Sequence, residues 1–423
     1  MKEYQKRAKQ VKPQSQTIEV INKEKLMDLA TMGLLNLSID LGFEALRQIL
    51  ETDVEELAGP KGKHNPNRQA YRHGSETTKV VLGGEKRTIQ KPRVRSLEGL
   101  ELPLPSLAIF QDEGPLDQAV LSKLLNGVST RKYQRTIEHQ TKEETSCTSK
   151  SETSRRFIKG LEKLMDEFFN RPIEEEYPVI YIDGIYIGQM AVIAALGVAK
   201  DGHKHILGII EGATENHRVV KALLADLIER GLAADVARLF VIDGSKALKK
   251  AIVDTFGKKA FIQRCQVHKK RNVLAHLPKS EQANIGLAIS RAYLEFDYNK
   301  AKNLLELIAQ NLEHKYPDAA ESLREGLEET LTVHQLKIPG LLRKTLSNTN
   351  PIESANSVAS SLIRRVKNWQ DGEHILRIAG AGFLEAEKGF RKIKGYKQIL
   401  FLTNALHCLD FDSSQEPLLS KLA

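Results

Sequence analysis

Three carboxylates stand out for where they fall. Asp183 directly follows the apolar run VIYI (179–182), and Asp243 directly follows LFVI (239–242); both lie in the tripeptide Ile-Asp-Gly. Each is set where a strand ends and a glycine turn begins, and in an α/β sheet the carboxyl ends of strands are where ligands gather. Glu353 comes 110 positions after Asp243. It opens a helix for which Asn350 suits the cap and Pro351 the first turn, so it is free to point back at the sheet edge. Three carboxylates held together repel one another, and a divalent cation is the usual resolution. Hard carboxylate oxygens suit Mg²⁺ or Mn²⁺. A pair of such ions about 3.5–4 Å apart activates an oxygen nucleophile and stabilises an oxygen leaving group in in-line phosphoryl transfer. A single Asp-Gly is an ordinary turn dipeptide; the repeat at matching strand ends is what points to a site.

Other candidates surround these. Cys265 and His268 form C-x2-H, half of a zinc-finger spacing, but no second half lies near, so a structural zinc is not expected. Cys265 reads as buried packing. Lys246, just after Asp243, suits either a phosphate contact or a solvated helix start. Arg364, Arg365 and Lys367 follow Glu353 along its helix, and Trp369, the only tryptophan, comes next. That Trp either stacks an unpaired base, a contact worth about 1–3 kcal/mol, or packs in the core. Glu385 and Glu387 have the periodicity of a solvated helix face.

The elements that must position these residues follow from the period of the apolar positions. VIYID, IYIGQMAVIAALGVA and KHILGIIEG read as three strands, the third preceded by an Asp201-Gly202 turn. A helix at HRVVKALLADLIERG, a strand at ARLFVID, a helix at SKALKKAIVDTFG, a strand at KAFIQRC and a helix from Val267 come next. Three strands followed by alternating helix and strand is the order of a ribonuclease H-like α/β domain. Residues 280–341 interrupt it with polar helical sequence, an all-α insertion, before the chain resumes at TNPIES.

Upstream, residues 18–57 carry helical spacing interrupted at Gly33 and Gly42. Residues 61–95 hold ten Lys/Arg against two Glu. Within them KVVL and EKRTIQKPRV alternate around Gly83-Gly84 as a β-hairpin would, with Arg68, Arg72, Arg93 and Arg95 beside it. This basic hairpin is either a solvated surface or a phosphate-contacting one. DQAVLSKLLNG, STRKYQRTIEHQ and SKSETSRRFIKGLEKLMDEFFN read as three helices, with Ser129 and Ser149 as N-caps. That is helix-turn-helix spacing, with Arg155 and Arg156 early on the last helix.

Composition sets the frame. With 423 residues, 41% hydrophobic, the chain can bury the cores of two or three domains. A net charge of +9 favours a polyanionic partner. Three scattered cysteines exclude a disulfide framework and fit a reducing cytosol. No run approaches the roughly 20 apolar residues of a membrane span, so no membrane partner is expected.

Taken together and in order, YRHG, KPRVR, GVSTRKY, YIDGIYIG, LGIIEGATEN, FVIDGSKALKKAI, QRCQVHKKRNVL, TNPIES and RRVKNW…FLEAEKGFRKIKGY resemble the Mutator-type bacterial insertion-sequence transposases, DDE transposases with a ribonuclease H-like core. The resemblance runs from about residue 68 to 400. It implies an enzyme that binds the terminal inverted repeats of an element and performs metal-dependent cleavage and strand transfer. Asp183, Asp243 and Glu353 would then be the catalytic, metal-holding carboxylates, with Mg²⁺ as cofactor and Mn²⁺ as substitute. It also makes C-x2-H a signature, with His268 contacting substrate phosphate, positioning a carboxylate or serving as a satisfied neighbour. Double-stranded DNA would be the partner, met by a homodimer or larger assembly in the bacterial cytoplasm. The expected organisation is an N-terminal helical region (1–60), a basic β-hairpin segment (61–112), a helix-turn-helix-like DNA-binding region (113–175), a catalytic core (176–279 and 342–400) split by the insertion (280–341), and a tail (401–423). The region before the core is expected to be mainly α. A structure-specific endonuclease and a domesticated, non-catalytic DNA-binding protein are the alternatives. The long basic N-terminal region argues against the first, and the intact carboxylate set against the second.

Overall fold

The computed structural model describes residues 42–408 apart from 64–67, 69, 83–84, 113, 137–144, 147–148, 189, 213–215 and 367–371. The helices expected before residue 42, the Gly83-Gly84 turn, Lys367, Trp369 and the tail after 408 lie outside the described residues. The chain forms two compact units, Met1–Val120 with Thr130–Ser154, and Leu121–Ser129 with Arg155–Ala423.

In the first unit a helix, α1 (42–58), lies beside two long antiparallel strands, β1 (Ala70–Leu82) and β2 (Glu85–Ser96), whose register runs from Ala70↔Ser96 to Leu82↔Glu85. The short β3 (Glu101–Leu102) pairs with β2. Leu46, Leu50 and Val54 of α1 pack with Val80, Ile89 and Val94 of the strands. Asp53 of α1 accepts from the Ser106 backbone N (2.9 Å) and Oγ (2.8 Å), meeting a free N–H at the start of α2 (Pro105–Gln111). A further helix, α3 (Gly114–Leu125), follows.

One expectation for this region is corrected. The middle helix of the expected trio is absent among the described residues, where 129–132 are turns or unclassified and Tyr133–Thr136 is a single 3₁₀ turn. STRKYQRT contains one apolar residue, Tyr133, which is fully buried, so there is no apolar stripe whose burial would sustain a helix. The polar stretch after it adds a short strand, β4 (Thr145–Ser146), to Lys86 and Arg87 of β2. The sheet of this unit thus has four strands, while helices still account for most of the ordered elements described before residue 176. Ser149 does cap α4 (Lys150–Phe169), accepting from Glu152 N at 3.3 Å.

The second unit is built on a five-stranded sheet in the order β7-β6-β5-β8-β9. β5 (Val179–Ile187), β6 (Met190–Val198) and β7 (Lys204–Gly212) form an antiparallel meander. α5 (His217–Glu229) then leads to β8 (Arg238–Ile242), α6 (Lys246–Phe256) to β9 (Ala260–Arg264), and β5, β8 and β9 run parallel. Alternate side chains leave the sheet on opposite faces. Tyr181, Val192, Ala194, Leu239 and Val241 enter one core with Leu161, Met165 and Phe168 of α4. Ile180, Ile182, Ile193, Phe240 and Ile242 enter another with Leu223 and Leu227 of α5 and Leu248 and Ile252 of α6. Burial on both faces is why these strands read as unbroken apolar runs.

After α7 (Gln266–Ala275), three helices, α8 (Lys279–Leu294), α9 (Tyr298–Glu313) and α10 (Pro317–Arg324), enclose a third core of their own, including Ile289, Leu305, Ala309 and Leu323. Short helices α11 (Thr332–Gln335) and α12 (Gly340–Leu346) return the chain to the first face of the sheet, where α13 (Asn350–Ile363) and α14 (Gly372–Lys388) cover it. Gly382 permits this last packing: a Cβ there would lie 2.7 Å from Ala359 Cα. Among the described residues no helix is long and apolar enough to cross a membrane.

Candidate active site

β5 and β8 are in parallel register with Ile182 opposite Ile242. Asp183 and Asp243 are each the next residue and so stand at the same level, but only Asp243 ends its strand. Contrary to expectation, Asp183-Gly184 makes no turn and lies inside β5, paired with Ala194 and Ile193 of β6, because the apolar alternation resumes at Ile185 and the strand runs on to Ile187. Both aspartates are partly exposed. The turn after Asp243 needs Gly244, whose φ is +115° and where a Cβ would lie 2.2 Å from Arg264 Nε. Asp243 Oδ1 accepts from Ser245 N (2.9 Å), and Ser245 caps α6.

Helix α13 brings the third carboxylate. Its N-cap is Thr349 rather than the expected Asn350, and Glu353 lies in its first turn. One turn on, Asn356 donates from Nδ2 to Asp183 Oδ2 at 2.8 Å. Glu353 and Asn356, three residues apart, share a helix face, so this bond ties the Glu353 helix to the first aspartate. On the other side, His268 Nε2 of α7 lies 3.8 Å from Glu353 Oε1.

Thr349 joins these parts. It is fully buried, and its hydroxyl lies 2.5 Å from Glu353 Oε1, 3.3 Å from His268 Nδ1 and 3.4 Å from Cys265 Sγ. A hydroxyl has one proton to donate, and the short contact to a carboxylate takes it. The hydroxyl oxygen is left to accept from the His268 ring. Pairing with the Cys265 sulfur raises the His268 imidazole above its ordinary value against the opposing effect of burial, and the charges of Cys265, Glu353 and Asp243 add to the rise.

Asp183, Asp243 and Glu353 offer the hard oxygens a hydrated Mg²⁺ or Mn²⁺ takes. Asn356 Oδ1, buried without a hydrogen-bond partner, is a further such oxygen, so the donor chemistry fits. Among the described residues no group of three or more His, Cys, Asp or Glu is placed to hold an ion by itself.

Residues 15–392 match the family described as Transposase, Mutator family. The chain belongs to the Mutator family of transposases. It is 27% identical over 364 residues to the transposase for insertion sequence element ISRM5 of Rhizobium meliloti (strain 1021), covering 83% of this chain and 88% of that one. It is 26% identical over 354 residues to the transposase for insertion sequence element IS256 in transposon Tn4001 of Staphylococcus aureus, covering 80% and 87%. A shorter match, 32% over 185 residues, covers 42% of this chain and 56% of the transposase for insertion sequence element IS6120 of Mycolicibacterium smegmatis.

The basic residues expected to meet DNA in such a transposase are placed very differently from one another. Arg68, Arg155, Arg364 and Lys246 are exposed, Lys246 with its amine 3.4 Å from Glu325 Oε1. Arg72 pairs with Glu51 of α1. Arg93 is held by Glu101 (Nε to Oε1, 2.9 Å) and by Glu76 (3.5 Å), and the Glu101 hydrogen bond raises its already high pKa. Arg95 is half-buried and Arg156 is buried. Arg365 donates to Leu125 O at 3.4 Å.

Sequence reasoning missed Thr349, Asn356 and a buried cluster beside the site. Lys269 of α7, 1% exposed, donates to the carbonyls of Ser322 (2.5 Å) and Glu325 (2.6 Å), and Arg264 to Glu325 O (3.1 Å) and Oε2 (3.2 Å). These bonds fasten the helical insertion to β9 and α7. The Lys-Lys of QVHKKRN was the available signal, but the burial of one lysine depends on carbonyls more than 50 positions away. Glu387 is also misread as solvated: it pairs with Arg171 at 2.9 Å and accepts from Ile206 N at 2.8 Å.

Proposed function

We propose that this protein is a DDE transposase with a ribonuclease H-like core, which binds the terminal inverted repeats of an insertion sequence and catalyses DNA cleavage and strand transfer. The single observation that carries the reading is that Asp183 and Asp243 stand level on neighbouring strands while the helix bearing Glu353, beside His268, is tied to Asp183 through Asn356. The sheet order and the helical insertion between β9 and α13 support the core assignment, and the named relatives support the role.

Asp183, Asp243 and Glu353 would hold Mg²⁺, with Mn²⁺ as substitute, and two such ions would activate the attacking oxygen and stabilise the leaving 3′-oxygen. The protein's own part is placement. Asp183 is held by Asn356, Asp243 by its turn, and Glu353 by Thr349 with the imidazole of His268 beside it. In a site built of carboxylates the exposed cations Lys246 and Arg364 supply compensating charge toward a phosphate backbone. The DNA-binding role is assigned to the region before residue 176, and action on two ends at once requires a dimer or larger assembly. The expected compartment is the bacterial cytoplasm, at the nucleoid.

Asp243→Asn tests the reading, with end binding followed by gel shift and strand transfer on a pre-cleaved donor end. Binding near the wild-type level with strand transfer abolished is the expected result. Strand transfer near the wild-type rate would overturn it.

A further inference from the structure

Asn356 is 8% exposed. Its amide donates to Asp183 Oδ2 at 2.8 Å, and this contact fixes which way the amide faces, because the flipped orientation would put its oxygen against a carboxylate oxygen. The other half of the amide is then unaccounted for. Oδ1 is buried and has no hydrogen-bond partner, a condition buried polar atoms seldom keep without a reason. A tether to Asp183 alone does not require it, since a hydroxyl would donate equally well and leave no buried amide oxygen. An acceptor beside Asp183, one helical turn from Glu353, is suited to a cation or to the water bound to one. A neutral oxygen also adds a donor to a carboxylate cluster without adding to its repulsion.

We propose that Asn356 is a fourth residue of this site: its Nδ2 positions Asp183, and its Oδ1 is an oxygen donor toward the hydrated divalent cation. The inference rests on the carboxylate reading above and extends it to a residue on the same helix face as Glu353. The two halves of the amide have separate roles, which substitution can divide. Asn356→Asp keeps an oxygen and removes the donor; Asn356→Leu removes both in a similar volume.

Mn²⁺ binding to the full chain without DNA, measured by the electron paramagnetic resonance of free Mn²⁺, separates these roles, with metal-free thermal unfolding as the check on folding. Asn356→Leu is expected to unfold at or above the wild-type temperature without metal, because the unpaired oxygen is gone, and to lose at least about tenfold in Mn²⁺ affinity. Asn356→Asp is expected to retain Mn²⁺ binding. Wild-type Mn²⁺ affinity in Asn356→Leu would overturn the proposal, and so would equal losses in the two variants, which would leave only a tether. If Asn356→Leu does not fold, Asn356→Ser replaces it under the same criteria. Asp183→Asn separates this failure from that of the underlying reading. If it weakens Mn²⁺ binding while Asn356→Leu does not, Asn356 alone is misassigned. If neither weakens it, the carboxylate assignment fails and takes Asn356 with it.

Discussion

Glu353 depends on a hydroxyl at the position where its helix begins. Thr349→Val removes that hydroxyl while keeping the branched shape, and leaves Glu353 Oε1 without its 2.5 Å donor and His268 Nδ1 without its acceptor. Strand transfer should fall by roughly 10–100-fold, the scale seen when a group that orients a metal ligand is lost, and Thr349→Ser should recover most of it. Single-turnover rates on a pre-cleaved end check this; equal rates in Thr349→Val and wild type would mean that Glu353 is held some other way. The position of Asp243 was legible in the sequence because strand, carboxylate and glycine turn are contiguous, whereas the same pattern misplaced Asp183, whose Asp-Gly lies inside β5. Thr349 and Asn356 were not, because their partners lie 84 and 173 positions away at Cys265 and Asp183, and no local pattern marks a cap that also serves a distant carboxylate.

At the scale of elements, the strands and helices of the second unit follow the apolar period, since burial on one or both faces is what that period records, except that β5 continues through Asp183-Gly184 to Ile187 and β6 begins only at Met190. The sequence misleads where burial is polar. Glu387 lies two positions from Glu385 on α14; Glu385 pairs with Lys388 at the surface, while Glu387 meets Arg171 and the backbone of β7. Glu387→Gln keeps one acceptor but loses the charge, and should lower stability by about 1–2 kcal/mol, read as a shift in the denaturation midpoint with activity per folded molecule retained. No shift would restore the solvated-face reading.

Lys269 gives the same lesson with a pH signature. Burial, together with the charge of Arg264 and against the pull of Glu325, brings its amine down to about 8. Between about 8 and the ordinary lysine value the unfolded chain binds the proton that the folded chain has lost. This group therefore makes stability rise with pH across that window, and penalises the fold below it. Lys269→Met should lack that rise, so the stability of wild type relative to the variant should increase with pH across the window. A pH-independent difference between pH 7 and 10 would contradict the buried-cation assignment.

At the scale of the whole molecule, two compact units and a separately cored helical insertion divide recognition from chemistry in the proposed scheme. The helix-turn-helix-like region was the least legible part, because a polar segment with one buried Tyr133 carries no period from which to choose between helix and turn. In that scheme Glu353 is the residue that only the assembled fold could bring to the aspartates. It stands 110 positions after Asp243, beyond the insertion, whereas Asp183 and Asp243 are neighbours through strand pairing alone. Strand transfer from a pre-cleaved donor end in Mg²⁺ is therefore the direct measurement, comparing Glu353→Gln with Glu385→Gln. Loss of at least about 10³-fold in Glu353→Gln, with Glu385→Gln near wild type and end binding unchanged in both, is the predicted result. An active Glu353→Gln, or a loss no greater than that of Glu385→Gln, would contradict the assignment of the third carboxylate.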